Sequence, residues 1–178
     1  MKKKMQSVYK KIFQDVPNEL DETWRDGVLL GGMAEGGYDR LELAKSYKFA
    51  GDILVEKALS GAEPYELIYP ILFNYRHSIE LYLKIVVKST NNHNIQSLVT
   101  ELTEYTTTRY NLELPQWFKD WILEFDEFDP RATAFRYDDI GIKSKISGDV
   151  GEFWVELPNL KKVMDTLQMI FQRLIQDL

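Results

Sequence analysis

The segment Pro70 to Lys88, PILFNYRHSIELYLKIVVK, constrains the fold more than any other part of the chain. On a helical wheel at about 100° per residue, Arg76, His77, Glu80, Lys84 and Lys88 fall within roughly 120°. Ile71, Leu72, Tyr75, Ile79, Leu81, Tyr82, Leu83, Ile85 and Val86 fill the rest. A helix apolar around most of its circumference needs neighbours on several sides, so it must run through the middle of a helical assembly. Its polar stripe is then narrow and hemmed in by core, where charges are partly desolvated and pKa values move.

The remaining periodicities supply those neighbours. Leu43, Tyr47, Ala50, Leu54 and Ala58 recur at helical spacing between Leu41 and Leu59, and Gly61 follows as a stop. Pro64 or Pro70 opens the central helix, since proline suits a first helical turn. After the polar loop STNNHN, Asn94 is placed to cap a helix through Ile95, Leu98, Val99, Leu102 and Tyr105. Pro115 opens another, with Phe118, Trp121, Ile122 and Phe125 on one face. Asp129-Pro130 ends it, because a residue before proline avoids helical angles. Pro158 opens the last helix, whose Leu160, Val163, Met164, Leu167, Ile170, Phe171, Leu174 and Leu178 cover roughly 140° of circumference. Residues 131–157 differ in texture: AFRYDDIGI and GEFWVEL flank a Ser-Gly-Asp turn signal and read as a loose hairpin or extended loop. The expected fold is mainly α, an up-and-down bundle of four or five helices with a short irregular or β-hairpin insert before the C-terminal helix.

Residues 1–40 stand apart as an N-terminal extension and Gly-rich loop, with residues 41–178 as the bundle domain. Met5, Val8, Ile12 and Phe13 are loosely periodic and suggest a short helix over residues 1–16. GVLLGGMAEGGYD, Gly27 to Asp39, lacks the Gly-Lys-Ser/Thr of a phosphate loop and reads as a loop or hinge.

With 178 residues, 44% of them hydrophobic, the chain can bury a full core without staples. It has no cysteine, which excludes thiolate chemistry and disulfides and fits a reducing, cytoplasmic setting. No apolar run is long enough to span a bilayer, and no signal-peptide pattern follows the basic tip MKKKM. The net charge of −6 argues against a broad positive field of the kind that holds nucleic acid non-specifically, so any such role needs a local basic patch.

The polar stripe has two readings. Arg76 to Glu80 and Glu80 to Lys84 are i,i+4 pairs, and a charge ladder on a solvated face accounts for them at about 0.2–0.5 kcal/mol each. Alternatively, Arg76, His77, Glu80 and Lys84 form a site: histidine moves a proton near neutral pH, and arginine grips phosphate with a planar fork. His93, entering the next helix, either bonds a backbone carbonyl or approaches the same end. Arg136, between Phe135 and Tyr137, either stabilises charge in the site or anchors the insert by pairing with Glu80. The acidic run EFDEFDP lacks the spacing of a calcium loop and reads as a solvated face. His77 and Glu80 cannot build a di-metal bundle centre with only two histidines in the chain, so no metal and no cofactor are expected. Trp117, Trp121 and Phe118 read as core, with Trp117 marking a partner surface if it is exposed.

YPILFNYRHSIELYLK, HNIQSLVTEL, AFRYDD and the C-terminal amphipathic helix together resemble the bacterial HEPN-like helical proteins, over roughly residues 40–178. The likeness is to members with an Arg-His-x-x-Glu-Leu-x-Leu-Lys helix. It lacks the arginine, four to six residues, then histidine of the family's ribonucleases. The resemblance implies a helical bundle, often a homodimer, acting in bacterial defence or toxin–antitoxin systems on RNA, a nucleotide or an antitoxin-like partner protein. It matches Arg76, His77, Glu80, Lys84, His93 and Arg136 of this chain, and Tyr137 closes the Phe-Arg-Tyr. Two function classes follow. One is a binding module, with Glu80, Lys84, His93 and Tyr137 as contact residues. The other is a metal-independent endoribonuclease in which His77 is the base on a ribose hydroxyl and Arg76 and Arg136 stabilise the phosphorane.

Overall fold

The computed structural model describes residues 12–13, 39–61, 64–137 and 153–176. The chain divides into two compact units, Met1–Gly37 and Tyr38–Leu178. The short helix expected over residues 1–16 and the Gly-rich loop fall outside the described residues, apart from Ile12 and Phe13.

The second unit is a mainly α bundle, and no strand occurs among the described residues. The helices are α1 (Arg40–Leu59), α2 (Pro64–Val86), α3 (Ile95–Tyr110), α4 (Gln116–Phe128), the single turn α5 (Ala134–Tyr137) and α6 (Leu157–Gln176). Their ends follow from local chemistry. Asp39 caps α1, its carboxylate accepting from the Glu42 amide at 2.9 Å. Gly61, just past the helix, takes a φ of +103°, which a side chain would strain. Asn94 caps α3 on the Ser97 amide at 2.7 Å. At the other end Asn111 turns left-handed, and its amide and that of Leu112 close on the carbonyls of Thr107 and Thr106. Asp129 ends α4, as its position before proline requires.

Two local details change the picture. Of its two possible starts α2 takes Pro64, so Pro70 lies within it. The missing amide of Pro70 leaves the Glu66 carbonyl without its helical donor, a cost borne near the helix start at an exposed residue. One turn later the Asn74 side chain donates to the Pro70 carbonyl at 2.7 Å. The second change is in AFRY, which forms a helical turn and not an extended strand. Asp129 Oδ1 accepts from the amides of Thr133 and Ala134 at 2.7 and 2.9 Å, so one carboxylate starts the turn. Of the insert expected over residues 131–157, residues 138–152 lie outside the described part, and Phe153–Glu156 has no regular structure.

α2 is the central element, packing against α1, α3, α5 and α6. Its Ile71, Tyr75, Ile79, Tyr82, Leu83 and Val86 are buried, together with Val55, Leu98, Leu102, Phe118, Ile122, Met164, Leu167 and Phe171 from its neighbours. Phe171 of α6 stacks on Tyr82 at 5.2 Å and meets Phe118 edge-on at 5.4 Å, so α2, α4 and α6 share one aromatic contact. Burial of each such side chain is worth about 1.5–3 kcal/mol. α1 comes close to α2 at Gly51, where an added Cβ would press into the Tyr75 ring and lie 3.1 Å from its Cζ. No described helix is long and apolar enough to cross a membrane.

Candidate functional site

The polar stripe of α2 divides into two environments. Arg76, Glu80 and Lys84 form the first, and it is not a solvated face: they are only 2%, 2% and 4% exposed. Arg76 Nε donates to the Asp129 carbonyl at 3.0 Å and lies 3.6 Å from that residue's carboxylate, while Nη1 reaches Glu80 Oε2 at 3.3 Å. Glu80 Oε1 takes Lys84 Nζ and His93 Nδ1, both at 2.9 Å. Lys84 and His93 also stand 3.1 Å apart.

The ladder therefore joins α2 to the α4–α5 corner at one end and to the α3 entry at the other. Burial pushes the Glu80 carboxyl up, but the hydrogen bonds from Lys84 and His93 and the charges of Lys84 and Arg76 outweigh it and hold the group below its ordinary value. Asp126, on α4, goes the other way: burial raises it and the charge of Arg76 only partly offsets the rise. His93 meets side chains and not a backbone carbonyl, and its ring stays largely exposed at the mouth of the ladder.

His77 faces elsewhere. One residue along a helix is about 100° around it, and that step carries the imidazole from the ladder to α1. Tyr47 meets it edge-on at 4.4 Å between ring centroids, and Phe73, one turn earlier, lies parallel at 5.9 Å. Its ring nitrogens meet no hydrogen-bond partner among the described residues, so it is held by ring packing. Burial is the main cause that lowers its pKa, helped by the charges of Lys84, Arg76 and Arg136 and opposed by Glu80. At neutral pH the imidazole is neutral.

Arg136 stands over the same aromatic group, its guanidinium carbon 5.7 Å from the Phe73 ring centroid. Its Nε donates to the Ala132 carbonyl, which fixes the base of the side chain to its own turn. The Glu80 carboxylate is taken by Arg76, Lys84 and His93, so the Arg136–Glu80 pair offered as one of the two readings of Arg136 does not form. Tyr137 closes α5, and its side chain lies outside the described part.

The candidate residues thus assemble as two groups. Arg76, Glu80, Lys84 and His93 form a charge network; His77 and Arg136 share an aromatic setting with Phe73 and Tyr47. The aromatic partners were missed in the sequence. The signal available was the spacing of Phe73 four residues before His77, but an aromatic at that spacing is usually core.

A second charge group, with Lys48 and Asp52 inside and Asp165 at the surface, lies across α1, α2 and α6. Lys48 donates to Asp52 at 2.7 Å and to Asp165, and Tyr75 donates to Asp52 at 2.8 Å. Lys161 adds a contact to Asp165 at 3.2 Å. Lys48 is held above its ordinary pKa despite burial, by its bonds to Asp165 and Asp52. These bonds join the three helices to one another. Among the described residues no group of three or more His, Asp or Glu side chains is arranged to hold a metal ion. Trp117 is 45% exposed beside Trp121, which leaves an aromatic anchor at the surface of α4.

A scan against protein-family models finds no match, and neither a curated protein nor a solved structure matches the chain.

Proposed function

We propose that the bundle is a HEPN-like binding module for RNA or a nucleotide, of the kind used in bacterial defence or toxin–antitoxin systems, and that it does not cleave. The observation that carries this reading is the separation of Arg76 from His77. A metal-independent ribonuclease needs an acid–base group and a phosphate-stabilising cation converging on one scissile phosphate. Arg76 is committed to Asp129 and Glu80 inside the core, where it holds the fold together. His77 faces aromatic rings and an exposed arginine, a setting suited to a base or a ribose beside a phosphate.

The competing reading, an endoribonuclease using His77 with Arg136, draws support from one fact: burial keeps His77 neutral, as a general base must be. The two readings share an RNA ligand and differ in turnover. The test of the proposal is equilibrium titration of a fluorescently labelled cellular RNA pool with the full chain, followed by a denaturing gel of the same samples. Saturable binding that Arg136→Ala weakens at least fivefold, with the RNA recovered intact, is the expected result. No binding at moderate salt overturns it.

A further inference from the structure

Three polar side-chain atoms where α2 meets the end of α4 are buried without a hydrogen-bond partner among the described residues: Arg76 Nη2, Asp126 Oδ1 and Asp129 Oδ2. Buried polar atoms are almost always paired, with protein or with an ordered water, because water outside no longer solvates them. Arg76 and Asp129 are 2% and 0% exposed, so bulk solvent does not reach them.

The three atoms belong to one arrangement. Nε and Nη2 of a guanidinium form one edge of its planar fork. Arg76 turns that edge to Asp129: Nε donates to the Asp129 carbonyl at 3.0 Å and stands 3.6 Å from Oδ2, beyond hydrogen-bond reach. The other carboxylate oxygen, Oδ1, is spent on the amides of Thr133 and Ala134, and this fixes the carboxylate from the far side. Asp126 lies three residues earlier on α4, a neighbouring position on the helix surface. The charge of Arg76 acts on it, and its carboxyl also takes a backbone hydrogen bond from Ile95, the first residue of α3.

The balance of donors and acceptors selects the ligand. The guanidinium edge offers an N–H, and each carboxylate offers an oxygen. A metal ion cannot accept the Nη2 proton and is repelled by the guanidinium. An anion meets two carboxylates. A water accepts one N–H through its oxygen and donates its two O–H groups, so a single neutral molecule matches all three atoms.

We propose that Arg76 Nη2, Asp129 Oδ2 and Asp126 Oδ1 bind one internal water. It completes the buried end of the charge ladder, joining α2 to α4 and, through Asp126, to the start of α3. The contact between Arg76 and the Asp129 carboxylate is then solvent-mediated and not a direct ion pair. The site is structural and stands whether or not the bundle binds RNA.

The test is a high-resolution crystal structure of the full chain, with magnetic relaxation dispersion of the water oxygen for the wild type, Asp126→Asn and Asp126→Leu in solution. The expected density is a single peak within about 3.2 Å of both Arg76 Nη2 and Asp129 Oδ2. The dispersion amplitude counts waters held inside the protein for longer than it tumbles. Asp126→Asn keeps a side-chain oxygen in place and should retain the wild-type amplitude. Asp126→Leu removes the acceptor and fills its space, and should lose the amplitude of one water. A guanidinium edge closed directly on the carboxylate, with Nη2 within about 3.2 Å of Oδ2 and no peak between, overturns the proposal. So does an Asp126→Leu amplitude equal to that of the wild type. Near-ultraviolet circular dichroism shows whether each variant keeps native packing; if Asp126→Leu does not fold, the wild-type density decides alone.

Discussion

At the scale of single residues, two neighbours in sequence end in opposite surroundings. Arg76 is a buried cation whose partners are all internal, and removing it leaves Glu80 and Asp129 short of compensation. Breaking a buried pair from one side costs about 3–5 kcal/mol. Arg76→Met should therefore lower stability by about 3 kcal/mol, near the lower end because Lys84 and His93 still hold Glu80; chemical denaturation measures this. His77 should behave differently. Its folded-state pKa lies below the ordinary value of 6.5, so between those two values the unfolded chain binds the extra proton and the folded one does not. The penalty is absent above about pH 6.5, grows as the pH falls below it and levels off beneath the lowered folded-state value. A denaturation series across that window should show stability declining, and His77→Phe should flatten the decline. Glu80, held below 4.5, adds a separate loss only at more acid pH, as falling pH protonates it in the folded state.

At the scale of elements, the contact between α1 and α2 decides where His77 can look. Ala44 accepts from Ser78 at 2.8 Å, and Gly51 admits the Tyr75 ring. The same approach brings Tyr47 onto the imidazole. Gly51→Ala should cost about 1–3 kcal/mol by overpacking, read as a lowered melting temperature, because the ring it meets is itself fully buried. Lys48→Met should also destabilise, by about 2 kcal/mol once the exposure of Asp165 is discounted.

Much of this level was legible from spacing: the helix periods, the run of α1 over Leu41 to Leu59, the Asn94 cap and the stop at Asp129 all follow from side-chain chemistry a few residues away. The 76–80–84 ladder was legible as pairing and misread as solvated. Its burial depends on the Asp129 corner, distant in the chain, and on His93 arriving from the α3 entry. The α5 turn was hidden for a related reason. AFRY looks extended by composition, and it is the Asp129 carboxylate that folds it.

At the scale of the whole molecule, the bundle uses its charged residues in two ways. The charge networks around Glu80 and around Lys48 tie helices together, though Arg76 Nη2 and Asp129 Oδ2 stay buried without a hydrogen-bond partner among the described residues. His77 and Arg136 are set among the rings of Tyr47 and Phe73. The mainly α architecture could be read from the sequence. The division of one polar stripe into a buried charge ladder and an aromatic-framed histidine could not, because a helical wheel gives direction and says nothing of what each direction meets.

In the proposed reading this division serves binding and not cleavage. Incubation of the purified full chain with a mixed cellular RNA pool in EDTA, beside His77→Ala and Arg136→Ala, separates the two. The wild type should leave the RNA intact at concentrations where it is fully bound. Metal-independent cleavage by the wild type, abolished in His77→Ala while that variant stays folded, would contradict it and make the aromatic-framed histidine a general base.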